Sequence, residues 1–160
     1  MRGYYGIGLV NPKSTMNVGA ILRSASLLGA NFVAIQGPRF ERSCADTMKA
    51  WKHMPIFIVD DIFKAIPYAC VPIAIDLVPS ARPLSNYVHP ERAFYIFGAE
   101  DGILGAKVLD RCRDTLYIPT PRCLNLSVTA SIIAYDRVTK RNDWGTLTTN
   151  QDGATIGAIA

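Results

Sequence analysis

Short apolar segments alternate along this chain with segments that have helical periodicity. From Val18 to Leu28 the apolar residues recur every three or four positions, which predicts an amphipathic helix that ends at Gly29. Leu124 to Arg141 predicts the last and longest helix. Shorter helices are expected at Asp60 to Ala65 and Ile103 to Cys112. Strands are predicted at Tyr4 to Val10, Asn31 to Gln36, Ile56 to Val59, Val71 to Leu77, Ala93 to Phe97 and Thr115 to Ile118.

This alternation of strands and helices predicts an α/β fold, in which a mainly parallel sheet is flanked by helices. A length of 160 residues fits a single domain, which we expect to occupy residues 1–142. Pro38 to His53 is predicted to be a long basic loop with one helical turn. Residues 143–160 are rich in Gly, Thr and Asn without clear periodicity, so we expect a loosely ordered tail.

The composition is that of a protein with a packed core. Hydrophobic residues make up 49% of the chain and charged residues 19%, which excludes an intrinsically disordered chain. No apolar stretch approaches the roughly 20 residues needed to span a bilayer, so no membrane partner is expected. The formal net charge of +4 is compatible with an RNA partner but does not require one.

The cysteines and histidines give no sign of a metal site or a disulfide framework. The four cysteines show no Cys-x-x-Cys spacing, and the two histidines lie far apart in the sequence. Cysteines scattered through apolar segments are typical of a reducing compartment. We therefore expect a cytoplasmic protein that holds no metal.

Three short segments carry the candidate chemistry. They are Asn17 to Arg23 (NVGAILR), Phe97 to Gly102 (FGAEDG) and Ile118 to Ser127 (IPTPRCLNLS). Each follows a predicted strand, and parallel sheets bind ligands at the carboxyl ends of their strands. Taken alone, Asn17 could simply cap the helix that follows it, and Arg23 could be an ordinary surface residue.

In this order, the three segments resemble the fingerprint of the SpoU/TrmH family of the SPOUT RNA methyltransferases. The resemblance extends from about Tyr4 to about Lys140. It implies methylation of a ribose 2′-hydroxyl in tRNA or rRNA, with S-adenosylmethionine as the cofactor. It also implies a deep trefoil knot at the carboxyl end of the domain and a homodimer in which the first and last helices meet across a two-fold axis.

The resemblance assigns catalytic roles to Asn17, Arg23, Glu100 and Asn125. A guanidinium has a pKa above about 12 and is a poor proton acceptor. We therefore expect Arg23 to grip an RNA phosphate and orient the ribose hydroxyl, rather than to act as the general base. Glu100 is expected to brace Arg23 or another basic group, and Asp101 to lie on the surface.

The resemblance also implies a set of cofactor-binding residues after three of the predicted strands. They are Asp76, Leu77, Phe97, Gly98, Gly102, Ile118, Thr120, Cys123, Leu124 and Ser127. The third segment departs from the family pattern, in which Ile-Pro-Met leads to Ser-Leu-Asn. Here the connection is shorter and Cys123 stands in place of the serine, so we expect an altered pocket wall.

Basic residues in the loop after the second predicted strand are candidates for RNA binding, and Trp51 among them could stack on a base. These candidates are Arg39, Arg42, Lys49, Lys52 and His53, with further phosphate contacts possible at Arg2, Lys13 and Arg122. Two alternatives stay open. The chain could be a non-catalytic RNA-binding or assembly dimer that keeps this fold, or an enzyme that methylates a base.

Overall fold

The computed structural model describes residues 3–37 and 49–142 of the chain. The strands are β1 (Tyr4–Val10), β2 (Phe32–Gln36), β3 (Ile56–Val59), β4 (Val71–Ile75), β5 (Arg82–Pro83), β6 (Arg92–Phe97) and β7 (Asp114–Tyr117). The α-helices are α1 (Thr15–Leu27), α2 (Ala106–Leu109) and α3 (Leu126–Arg141), with 3₁₀ turns at Ala50–Lys52, Ile62–Ala65 and Leu84–Asn86. Among these described helices, none has the length and apolar character needed to cross a membrane.

The predicted parallel α/β architecture is confirmed. Seven strands form one sheet in the order β3-β2-β1-β6-β4-β7-β5, and every pairing is parallel. The central strands are buried on both faces, which explains their nearly continuous apolar sequences. One face packs against α1 and α3, and the other packs against Ile62 and Leu104.

Aromatic rings fill the second face, and β1 makes room for them with glycine. The rings of Phe32 and Phe94 stack with their centroids 5.5 Å apart. A Cβ atom at Gly6 would lie 2.3 Å from the Phe32 ring, and one at Gly8 would lie 2.7 Å from the Phe94 ring. A side chain at either position would therefore displace the core.

Helix α1 begins earlier than its apolar pattern predicts. Ser14 is the N-cap, and its side chain accepts a hydrogen bond from the N–H of Asn17. The interpretation of Asn17 as the N-cap is therefore wrong: it lies inside the first turn, where its side chain is available for other contacts. The predicted end of the helix is confirmed, since Gly29 follows the C-cap with a φ of 79°.

Two further elements differ from their predictions. The helix expected from Ile103 to Cys112 is reduced to the single turn α2, because the backbone of Gly105 is extended and the helix begins only after it. The short strand β5 was not predicted, since its Arg-Pro sequence carries no periodicity.

The chain after β6 passes between segments that precede it. Strand β7 lies between β4 and β5, although β4 and β5 are joined by only a short connection, 76–81. Helix α3 then packs beside α1. Arg137, which is 1% exposed, donates to the backbone carbonyls of Pro90 and Glu91, at 2.7 and 2.8 Å. These bonds fasten α3 to the segment that leads into β6.

Candidate functional site

A cleft of about 140 Å³ opens at the carboxyl ends of β4, β6 and β7, where a parallel sheet is expected to bind a ligand. Its walls come from three loops and the first turns of α3. They include Ile75, Asp76, Leu77, Phe97, Gly98, Ala99, Glu100, Gly102, Tyr117, Ile118, Thr120, Arg122, Cys123, Leu124, Leu126 and Thr129. Apolar side chains from several strands and backbone groups of the loops thus face one concave space, the usual composition of a small-molecule site.

Asp76 joins the first two of these loops. Its Oδ1 accepts the N–H of Leu77 at 2.7 Å, and its Oδ2 accepts the N–H of Leu104 at 2.6 Å. The backbone N–H of Asp76 itself donates to the carbonyl of Leu116 in β7. The end of β4 is therefore tied to both neighbouring segments of the cleft.

Glu100 is the centre of a second set of contacts, which joins the β6 loop to the start of α1. Its Oε2 accepts the N–H of Lys13 at 2.8 Å, and its Oε1 accepts the N–H of Ser14 at 3.0 Å and Nδ2 of Asn17 at 2.8 Å. Burial acts to raise the pKa of Glu100, but these hydrogen bonds outweigh it and the pKa is lowered. Glu100 is thus held as an anion.

Asn125 extends this network to α3. Its Nδ2 donates to Oδ1 of Asn17 at 3.1 Å. Its Oδ1 caps the helix by accepting the N–H groups of Ser127, at 2.8 Å, and Val128, at 3.4 Å. Glu100, Asn17 and Asn125 therefore form one chain of hydrogen bonds that sets the positions of three segments at the edge of the cleft.

The short third loop is closed by its own threonine. The Thr120 hydroxyl lies 2.8 Å from the carbonyl oxygen of Arg122 and 3.3 Å from that of Ile118, and it donates to this pair of acceptors. Cys123 is exposed at the cleft wall. The shortened connection thus forms a compact turn that presents Cys123 and Leu124 to the cleft.

The structure brings together most of the residues predicted to bind the cofactor, because all of them except Ser127 line the cleft. Ser127 instead lines the groove between α1 and α3. Among the predicted catalytic residues, Asn17, Glu100 and Asn125 lie in one network. Arg23 is exposed on α1 and is not part of the cleft wall of its own chain.

Several wall residues were not predicted. Ile75 and Tyr117 end strands β4 and β7, Ala99 lies in the β6 loop, and Leu126 and Thr129 belong to the first turns of α3. Ordinary side chains of this kind, most of them apolar, carry no sequence signal that separates a cleft wall from the core.

Only part of the predicted RNA surface can be placed. Lys49, Trp51, Lys52 and His53 lie on and around a 3₁₀ turn beside α1, and the Lys52 ammonium lies 5.5 Å from the centroid of the Trp51 ring. Lys13 forms an ion pair with Asp101, and Arg122 lines the cleft. Arg2, Arg39 and Arg42 are outside the described residues, as is the tail at 143–160.

A groove runs along the exposed side of α1 and α3. It is lined without any charged residue by Ala20, Ser24, Leu28, Ser127, Val128, Ser131, Ile132 and Tyr135. Met16 and Leu27, which are 57% and 52% exposed, lie on α1 on the same side as Arg23. This groove, with its neighbouring apolar side chains, is named the helix groove below.

Within the ranges 3–37 and 49–142, no group of three or more His, Cys, Asp or Glu residues is placed to hold a metal ion.

Residues 5–135 match the family model of the SpoU rRNA Methylase family. No curated protein matches the chain significantly. The chain is similar to a structure described as giving insights into the 2-OH methylation of C/U34 on tRNA, with 25% identity and a TM-score of 0.75. That similarity covers 89% of this chain and 93% of the other.

Two more distant structures share the fold. The A. aeolicus TrmH/SpoU tRNA modifying enzyme is 17% identical, with a TM-score of 0.80 over 95% of this chain and 84% of its own. The SpoU methyltransferase AviRb from Streptomyces viridochromogenes, in complex with AdoMet, is 20% identical, with a TM-score of 0.77. That match covers 89% of this chain but only 59% of AviRb, so the chain spans less than two thirds of that enzyme.

Proposed function

The chain belongs to the SpoU rRNA Methylase family, and we propose that it transfers a methyl group from S-adenosylmethionine to a ribose 2′-hydroxyl of RNA. The observation that carries this proposal is the hydrogen-bonded chain Glu100–Asn17–Asn125, which lies at the edge of the cleft. These three polar residues come from separate segments of the chain. Exposed polar side chains can be solvated by water, so hydrogen bonds that link three segments indicate a shared role.

The cleft has the chemistry that S-adenosylmethionine requires. Ile75, Leu77, Ile118, Leu124 and Leu126 offer apolar surface to an adenine ring. Two glycines leave the backbone of the β6 loop without side chains: Gly98 packs against Leu104, where a Cβ atom would lie 3.3 Å from Cγ, and a Cβ atom at Gly102 would have no neighbour within 4 Å. We propose that the loop backbone holds the polar part of the cofactor at these glycines.

S-adenosylmethionine, when bound, supplies an electrophilic methyl group. Glu100 is a poor general base, because three hydrogen bonds occupy its oxygens and its pKa is lowered. Its part is to hold Asn17 and the start of α1 in place. Arg23 grips a phosphate of the RNA, orients the ribose hydroxyl and eases the loss of its proton, which passes to solvent water. Cys123 takes no covalent part, since methyl transfer to oxygen needs no covalent enzyme intermediate.

The working unit is a homodimer formed through the helix groove. Small residues, Ala20, Ser24 and Ser131 among them, allow a second pair of helices to approach closely, and no charge has to be desolvated. Exposed Met16 and Leu27 extend the apolar surface around Arg23. A two-fold axis at this groove would bring Arg23 of one subunit towards the cleft of the other, which is consistent with its absence from its own cleft wall.

The carboxyl end of the domain forms a trefoil knot. Support comes from the position of β7 between β4 and β5, and from the bonds that fasten α3 to the segment before β6. In the proposed knot, the chain that forms β7 and α3 passes through the loop made by the earlier connection. Such threading is rare among proteins in general.

The favoured substrate is tRNA, with rRNA as the other candidate. One solved structure that resembles this chain over 89% of its length concerns a 2-OH methylation on tRNA. The exposed Trp51 with Lys52 offers a stacking surface beside a positive charge. The cytoplasmic location stays a prediction from the cysteine usage.

The direct test is transfer of labelled methyl from S-adenosylmethionine to unmodified total tRNA and, separately, rRNA. We expect incorporation that is recovered as a 2′-O-methylnucleoside and that falls at least about 100-fold in Arg23→Ala, as expected when an oriented phosphate contact is lost. Lys107→Ala on the exposed turn α2 is the matched loss of one positive charge, and it should keep full activity.

Two outcomes would replace the proposal by its alternatives. Recovery of the label on a base would assign the chain to base methylation. A protein that binds RNA, does not bind S-adenosylmethionine and transfers no labelled methyl group would be a non-catalytic RNA-binding dimer.

A further inference from the structure

The carboxylate of Asp76 is engaged by backbone groups on both of its oxygens. Oδ1 accepts the N–H of Leu77 at 2.7 Å, and Oδ2 accepts the N–H of Leu104 at 2.6 Å. Both are short hydrogen bonds to a charged acceptor, which are stronger than bonds between neutral groups. One side chain thus connects the end of β4 to a loop that is 28 residues further along the chain.

The bond from Asp76 to Leu104 also affects the cleft wall formed by the Gly98 turn, because Leu104 packs against that turn. Leu104 is 2% exposed, and its side chain packs in the core on the second face of the sheet. A Cβ atom at Gly98 would lie 3.3 Å from Cγ of Leu104 and 3.5 Å from its backbone nitrogen. Leu104 therefore packs directly against the glycine turn that follows β6, and its position fixes the position of that turn.

From this geometry we propose that Asp76 is a positioning residue for the cofactor cleft. By holding Leu104, its carboxylate sets the distance between the β4 loop and the Gly98 turn. We assign its effect to the two backbone N–H groups that its oxygens accept, which set the positions of Leu77 and Leu104, rather than to direct contact with the ligand. The inference rests on the proposed function of the cleft as the S-adenosylmethionine site.

The decisive variant is Asp76→Asn. An asparagine keeps the size of the side chain but has one oxygen, so it can accept only one of the two N–H groups and turns a donor towards the other. Asp110→Asn is the matched control, since Asp110 is exposed at the end of α2, away from the cleft wall, and its substitution removes the same charge.

The first measurement is amide hydrogen exchange on the ligand-free protein. Exchange at Leu104 is expected to become at least about tenfold faster in Asp76→Asn, because its N–H then has at best a neutral amide oxygen as acceptor in place of the carboxylate. Exchange in β1 and β6 should stay unchanged, as should all rates in Asp110→Asn. Equal protection of Leu104 in the wild type and Asp76→Asn would overturn the proposal.

The second measurement is S-adenosylmethionine binding by calorimetry, together with methyl transfer to total tRNA. We expect both the Kd and the KM for S-adenosylmethionine to rise at least about tenfold in Asp76→Asn, with kcat within about twofold. Faster exchange at Leu104 with unchanged cofactor affinity would also overturn the proposal. Wild-type protein that binds no S-adenosylmethionine would contradict the proposed function itself, while the exchange measurement still decides whether Asp76 holds the loop.

Discussion

Asn125 makes two contacts that a pair of substitutions can separate. Its Oδ1 caps α3, and its Nδ2 donates to Asn17. Asn125→Ala loses both, so we expect the free energy of unfolding to fall by about 1 kcal/mol, the usual loss for an N-cap. Methyl transfer should fall as well, because Asn17 loses its partner. Urea denaturation and the labelled-methyl assay measure the two effects.

Asn125→Asp keeps the cap, since aspartate is as good an N-cap acceptor as asparagine. It cannot donate to Asn17, and it places a second negative charge near Glu100. We expect the stability of the wild type, within about 0.5 kcal/mol, but the low activity of Asn125→Ala. Full activity in Asn125→Asp would mean that the hydrogen bond to Asn17 has no part in the reaction.

The sequence identifies these residues better than it identifies their partners. Asn17, Glu100 and Asn125 are recognisable from their motifs, but the bonds between them span 83 and 108 residues, and no local spacing reports such contacts. Asn17 also precedes an apolar pattern in the way an N-cap does, whereas Ser14 holds that position. The role of Asp76 was harder still to predict, because its partners are backbone groups that every residue carries.

At the scale of elements, α3 is attached to the rest of the domain through a buried polar cluster. His89 is 3% exposed, with its ring nitrogens 2.6 Å from the Tyr95 hydroxyl and 2.8 Å from Oδ2 of Asp136. Burial lowers the pKa of His89 more than its contact with Asp136 raises it, and the charges of Arg137 and Lys140 lower it further.

This cluster makes the stability of the protein depend on pH. Unfolded histidine has a pKa of about 6.5, and the folded value is lower, so the unfolded state binds more protons between the two values. The contribution is complete above about pH 6.5 and is lost as the pH falls through the folded pKa. We expect urea midpoints to fall between pH 7.5 and 5.5, and less steeply in His89→Gln. An equal slope in the variant would contradict this role of His89.

The elements themselves were predictable where packing and periodicity agree. Strands β1, β2 and β6 are apolar runs buried in the sheet, and β3 is an apolar run at its partly exposed edge. Helices α1 and α3 have apolar faces long enough to be recognised. Helix α2 was overestimated because the backbone of Gly105 is extended, so that the helix begins only at Ala106. The order of the strands was not predictable either, since the insertion of β7 between β4 and β5 depends on contacts across the whole domain.

At the scale of the whole molecule, the proposed homodimer predicts that two inactive variants can complement each other, which a monomeric enzyme would not allow. Suppose that Arg23 acts at the cleft of the partner subunit. The Arg23→Ala chain then keeps an intact cleft but lacks the arginine, and the Gly98→Val chain keeps the arginine but lacks an intact cleft. We expect Gly98→Val to distort the cleft wall, because a Cβ atom at Gly98 would lie 3.3 Å from Cγ of Leu104 and the larger side chain would displace the Gly98 turn. Each pure variant should be inactive, for different reasons.

Co-expression of the two variants should then restore activity. Random pairing makes about half of the dimers mixed, and each mixed dimer has one complete site, so about a quarter of the wild-type activity is expected. An arginine that acts within its own chain would leave the mixed dimer as inactive as either parent, because neither chain would have both parts. Wild type co-expressed with Gly98→Val is the control: about half of the activity should remain under either arrangement. A recovery near a quarter would show that a complete site needs two subunits, which would explain why Arg23 lies beside the helix groove and outside its own cleft.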